Sequence, residues 1–227
     1  MPLDANNQAA PYYPFNILFF LFDFPVAWTL LIILQPVLAG ILFYLYIKHH
    51  TISSLGAYIG AIVWAFCGFS ISWLTWGTIM HTALWLPLAL LSIDMLLCTK
   101  KILTYYLKWS SVLSIAAIMT LLGGHMQVAI YSLIFCAIYF LYNWKQGRDR
   151  HALRWVVLGI GIAGLLSAIQ WVPFIRFLAD SGRVAALDSW KTTGWFLPWA
   201  HLIQFIVPDF FGNPATLTYW GVWNYGE

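Results

Sequence analysis

Charge is what this sequence has least of. Its 227 residues include 11 Lys or Arg and 8 Asp or Glu, 8% in all, where soluble domains carry about 25%. So few charges cannot cover the surface of a water-soluble domain of this length. The same scarcity excludes a disordered chain, a coiled coil and a nucleic-acid-binding surface. Cysteine is scarce too. Cys67, Cys98 and Cys136 sit within apolar runs, without a Cys-x-x-Cys pair or a nearby His. That excludes a disulfide scaffold and leaves small core hydrophobes as their reading. No pair has metal-ligand spacing, and there is no P-loop, dinucleotide fingerprint or nucleophile–base motif. No internal repeat is visible, which counts against a transporter built from two related halves.

Apolar sequence is abundant instead: 62% of residues are hydrophobic, with a mean hydropathy of +0.78. A spanning helix needs about 20 apolar residues. Six stretches qualify: Pro25–Ile47, Leu55–Trp73, Ala83–Leu97, Leu103–Leu122, Met126–Tyr142 and Leu153–Phe174. The third is short, with an irregular approach over Trp76–Thr82. Gly123-Gly124-His125 divides what would otherwise be one 40-residue helix into a hairpin of two spans, because a helix that long would stand about twice the bilayer thickness. The expected fold is an all-α polytopic membrane protein.

The few charges orient it. With six spans, Lys48, Lys100, Lys101, Lys108, Lys145, Arg148, Arg150 and Arg154 fall on one side, and Arg176, Arg183 and Lys191 on the other. By the positive-inside rule both termini then lie outside the cytoplasm, in the plasma membrane. Asp4, Asp23, Asp180, Asp188, Asp209 and Glu227 fall outside as well. Three regions follow: residues 1–24, an outer loop with an interfacial segment at Phe15–Phe24; residues 25–175, the six spans; and residues 176–227, an outer-face segment. In the last, Trp195–Phe211 carries an apolar face between prolines too closely spaced to cross a bilayer, and is expected to be an interfacial or re-entrant helix. A polar start outside the membrane, with no cleavable signal before it, points to a fragment of a longer polytopic protein with a span ahead of Met1.

Polar residues are costly in spans and therefore informative. Asp94 is the single acid within them, and lies two helical turns from Lys101, its expected interfacial partner. The remaining polar residues gather on the outer side. The loop offers Asp4, Asn7 and Gln8; the second outer loop offers His81; the hairpin tip offers His125 and Gln127. The last region offers Arg176 and Arg183, suited to a phosphate at headgroup depth, and Asp209, Asn213 and Glu227. The alternative for each is ordinary: packed histidines, headgroup anchoring by arginine, capping by aspartate.

The order of short motifs carries a resemblance. PLDANNQAAPYYPFNILF, GAIVWAFCGF, HTALWLPLALLSIDML, GGHMQVAIY, LLSAIQWVPFIRFLADSGR, PDFFGNP and YWGVWNYGE together resemble the YfhO family of bacterial membrane proteins, within the wider GT-C class of glycosyltransferases. The resemblance implies a GT-C-like fold and sugar transfer on the outer face, from a polyprenyl-phosphate-linked sugar to a cell-envelope polymer or lipid. It implies phosphate contacts from Arg176 and Arg183, acceptor or metal contacts from Asp4 or Asp209, and substrate contacts from Asn7, Gln8, His81, His125, Gln127, Asn213 and Glu227. It allows a divalent cation without supplying a ligand set for one. The family's principal catalytic Asp follows a first span that these residues do not include. Other readings are a non-catalytic membrane scaffold and a lipid or glycolipid transporter. Membrane lipids are partners under every reading, and nucleic acid under none.

Overall fold

The structure, a computed structural model, describes residues 3–51, 53–98, 102–147, 150–180 and 198–222. They are helical, with no strand among them. The chain divides into two compact units, Met1–Arg176 and Phe177–Glu227.

The first unit opens with short 3-10 turns and α1 (Leu18–Leu21), then α2 (Phe24–His50), α3 (Ser54–Phe66), α4 (Gly68–Ser72), α5 (Ile79–Ala83), α6 (Leu86–Leu97), α7 (Leu103–Leu122), α8 (Met126–Gly147), α9 (Arg150–Leu166) and α10 (Ala168–Ala179). Five segments are long and apolar enough to cross a membrane: Phe24–His50, Ser54–Ser72, Ile79–Leu97, Leu103–Leu122 and Met126–Lys145. The bent pair His151–Leu166 and Ala168–Ala179 makes a sixth if counted as one span. The protein is an all-α polytopic membrane protein.

Local chemistry explains the helix ends. The Ser53 hydroxyl accepts from the Gly56 amide at 3.1 Å and caps α3. Pro25 and Pro87 occupy first-turn positions of α2 and α6, where a missing N–H costs nothing. α2 and α3 meet through small residues: Ala57, Ala61 and Ala65 form a buried stripe one turn apart, facing Ala39 and Gly40. With lipid outside as apolar as the interior, such close backbone approach is what holds spans together. The most enclosed segment is Ile79–Leu97, 78% buried, with Leu84, Ile93 and Leu96 at the centre of the core.

Two expectations about the spans need correction. The third span begins at Ile79 rather than Ala83, because Met80, His81, Thr82 and Ala83 are already helical and buried. The sixth is not straight: α9 and α10 bend by 66° at Ser167. Ser167 Oγ donates to the Ala163 carbonyl at 2.6 Å, and Trp171 Nε1 donates to the Gly164 carbonyl across the bend at 2.9 Å, so side chains satisfy backbone groups that the bend frees. The expected partner of Asp94, Lys101, lies outside the described residues. The Asp94 carboxylate faces His50 Nε2 at 2.9 Å and accepts from the Tyr139 hydroxyl at 2.8 Å. Cys136 is buried as expected, whereas Cys98 is exposed.

In the second unit, a 3-10 helix runs over Trp199–Phe205, within the interfacial or re-entrant helix expected over Trp195–Phe211; residues 195–197 lie outside the described residues. His201 is buried and stacks on Phe211 with ring centroids 4.3 Å apart. Trp199, Phe205 and Ile206 are largely exposed.

Candidate functional site

At one end of the first unit the N-terminal loop folds down onto the helix mouths. The opposite end carries Lys48, His50 and Arg154. Asn16 clamps the loop's own turn, its Nδ2 donating to the Ala10 carbonyl at 2.6 Å. Tyr13, thus held, points inward and is 3% exposed.

A chain of three hydrogen bonds follows, and chemistry assigns its directions. His81 Nε2 lies 3.0 Å from the Leu31 carbonyl. A carbonyl only accepts, so Nε2 carries the proton and Nδ1 is bare. Nδ1 accepts from the Tyr13 hydroxyl at 3.0 Å, and the Tyr13 oxygen accepts from Trp85 Nε1 at 3.2 Å. His81 is therefore a neutral imidazole, fully buried, joining the loop to α2 and α5. Burial pushes the Tyr13 hydroxyl well above its ordinary value, against a smaller lowering by the Trp85 bond.

A second tie lies close by. Asn7 is buried, and its Oδ1 accepts from Gln170 Nε2 at 3.0 Å; the same amide nitrogen reaches the Leu122 carbonyl at 3.3 Å. Gln170 Oε1 is buried without a partner. The loop, the end of α7 and the start of α10 thus meet at one amide. The Gly123-Gly124-His125 turn packs between them. A Cβ on Gly123 would sit 2.8 Å from Thr82 Cα, and Gly124 has φ +95 with Ala10 Cβ 3.0 Å from where its own would be. Only glycine fits either place. His125 starts α8: its Nδ1 accepts from the Val128 amide at 3.3 Å, and its own amide donates to Thr82 Oγ1 at 3.2 Å. Burial holds its imidazole below the ordinary histidine value.

Outside this buried layer stand the exposed groups. Asp4 Oδ1 accepts from the Tyr12 hydroxyl at 2.9 Å, which raises the Tyr12 hydroxyl above its usual range. Gln8 is exposed. Gln127 is exposed and bonds Tyr131 on its own helix at 2.9 Å. Arg176 is exposed near the end of α10. Beneath the turn, between α7, α8, α9 and α10, lies an apolar cavity of about 320 Å³ reached by Met126, Ile130, Gly164, Trp171 and Ile175.

The sequence candidates therefore separate. Asp4, Gln8, Gln127 and Arg176 are exposed, while His125 is half-buried. Asn7 and His81 are buried and hydrogen-bonded within the protein, so they build the platform rather than meet solvent. In the second unit Asp209 is exposed and Asn213 caps a turn, its Oδ1 accepting from the Ala215 amide at 2.9 Å. Arg183 and Glu227 lie outside the described residues. No group of three His, Cys, Asp or Glu able to hold a metal occurs among the described residues. Sequence reasoning missed Gln170, Trp85 and Thr82 as organising residues. A lone amide within the apolar run LLSAIQWVPF was the available signal for Gln170.

A family model described as Bacterial membrane protein YfhO matches residues 8–216. The chain belongs to the YfhO family. The match runs from the loop, through the buried Tyr13–His81 tie and Gln170 of this YfhO protein, to the 3-10 turn at Pro214–Thr216. Neither the curated proteins nor the solved structures gave a match.

Proposed function

We propose that this YfhO protein is part of an integral membrane glycosyltransferase of the GT-C type, moving a sugar from a polyprenyl-phosphate donor to a cell-envelope acceptor on the outer face of the plasma membrane, with both termini on that side. The observation that carries the reading is the polar rim, with Asp4, Gln8 and Arg176, at the same end as an apolar cavity that opens between spans. Such a donor is itself divided in this way: an isoprenoid tail that prefers lipid and a charged sugar phosphate that does not. The distribution of Lys and Arg supports placing the loop end outside.

The chemistry assigned to these residues is displacement at the anomeric carbon. The acceptor hydroxyl oxygen attacks that carbon, the bond from carbon to phosphate oxygen breaks, and polyprenyl phosphate leaves. A carboxylate, with Asp4 or Asp209 the candidates, takes or orients the acceptor proton. Arg176 and Arg183 stabilise the charge gathering on the phosphate. Gln8, Gln127, His125, Asn213 and Glu227 are the candidate sugar and acceptor contacts. A divalent cation, where one joins the phosphate, would meet Asp4 or Asp209.

A non-catalytic scaffold is favoured by one observation: Asn7, His81 and Asn213 are consumed in structural bonds. Sugar transfer separates the two. In membranes holding the protein expressed from its full reading frame, Arg183→Ala is expected to lower transfer from a polyprenyl-phosphate sugar by about ten-fold or more. Arg148→Ala is expected to leave it unchanged. Equal effects of the two, or no transfer by the unaltered protein, would favour the scaffold.

A further inference from the structure

A large cavity lies at the other end of the first unit and plays no part in the proposed reaction. It measures about 580 Å³ and is lined by Leu103 and Tyr106 of α7 and by His151, Arg154, Trp155 and Leu158 of α9. The four α9 residues follow the i, i+3, i+4, i+7 spacing of a single helix face. Its polarity is graded along that face. His151 and Arg154 stand in the first turns of α9, at the helix mouth, and Leu158 lies about 6 Å deeper than Arg154 along the axis. Tyr106 and Trp155 stack at 7° with centroids 6.0 Å apart and form the groove wall. The His151 ring lies 6.5 Å from Tyr106 on the same side.

A groove that is cationic at the membrane boundary and apolar below it matches one kind of molecule in its surroundings. We propose that it binds an anionic phospholipid, with the headgroup phosphate at Arg154 and His151 and an acyl chain laid along Trp155, Leu158 and Leu103. Charge complementarity selects the occupant. Between residues 99 and 154 the sequence has Lys100, Lys101, Lys108, Lys145, Arg148, Arg150 and Arg154 against one acid, Asp149. Arg154 has no acidic partner among the described residues. A guanidinium presents a planar fork to phosphate oxygens, and basic pockets between spans are suited to anionic headgroups. A cavity of this volume falls in the usual range for bound ligands. The site is separate from the sugar-transfer reading and does not depend on it.

The test uses the full chain, purified in neutral detergent and titrated with phosphatidylglycerol, with phosphatidylcholine of the same acyl chains, and with inorganic phosphate. Native mass spectrometry counts bound lipid, and thermal unfolding reads the shift in Tm. Phosphatidylglycerol is expected to bind and to raise Tm, while phosphatidylcholine and inorganic phosphate do neither. Arg154→Gln should weaken phosphatidylglycerol binding about five-fold. Leu158→Trp, which fills the groove and leaves the charge intact, should weaken it as well. Lys145→Gln, which removes a charge elsewhere at this end, should change nothing. Equal losses from Arg154→Gln and Lys145→Gln would mean diffuse attraction and overturn the site. So would equal binding of phosphatidylcholine, a Tm shift from inorganic phosphate matching that from the lipid, or unaltered binding by Leu158→Trp.

Discussion

Tyr13 and His81 lie 68 positions apart and share a buried 3.0 Å hydrogen bond, the phenol donating to a bare imidazole nitrogen. Because the Leu31 carbonyl fixes the tautomer from the other side of the ring, Tyr13 is the one donor that Nδ1 has. Tyr13→Phe would orphan both that nitrogen and the Trp85 N–H. It is expected to cost about 1–3 kcal/mol, read as a lowered thermal midpoint in detergent. Tyr12→Phe removes only an exposed bond to Asp4 and should stay within about 0.5 kcal/mol. Equal shifts for the two would mean the loop is not anchored through Tyr13.

The Asn7–Gln170 bond spans 163 positions and ties the loop to the bend between α9 and α10. A double-mutant cycle with Asn7→Ala and Gln170→Ala should give a coupling of about 0.5–3 kcal/mol. Additive losses would mean that the two amides do not hold the loop together.

Gly123→Ala and Gly124→Ala should both destabilise the protein, by about 1–3 kcal/mol each, the first through contact with the Thr82 backbone and the second through its positive φ. Gly161→Ala meets nothing within 4 Å and should leave the midpoint unchanged or raise it. A tolerated Gly123→Ala would contradict the packing of the turn against α5.

His125 gives the stability of the loop end a pH dependence. Burial holds its folded-state value below the ordinary 6.5, so on acidification the unfolded chain takes up its proton first. Stability is therefore lost as pH falls below the ordinary value. Asn at this position keeps a side-chain acceptor for the Val128 amide but does not titrate. Between about pH 8 and pH 5.5 the unaltered protein should lose thermal stability relative to His125→Asn. Parallel curves would show that His125 does not titrate differently on folding.

The class of fold was legible because its cause is local. Runs of apolar residues set the spans, and the two glycines before His125 set the hairpin. The bend at Ser167 was not legible, since it depends on where the Trp171 indole and the Ser167 hydroxyl find carbonyls. The candidate site was legible only in part. Asp4, Gln8 and Arg176 were expected on the surface and are exposed. Asn7 and His81 carry the same polar signal, but partners at Gln170 and Tyr13 draw them into the interior. Nothing near Asn7 in sequence announces a donor 163 positions away. A buried polar group is told from a functional one by its partner, and here the partners are distant in the chain.

Every chemical assignment at the loop end rests on that end facing outward. Membrane-impermeant thiol labelling of intact cells tests this most directly, with Gln8→Cys in the exposed loop and the native exposed Cys98 at the opposite end. Labelling at position 8 in intact cells, and at Cys98 only after the membrane is opened, is the predicted result. Labelling of Cys98 in intact cells with position 8 protected would contradict the account.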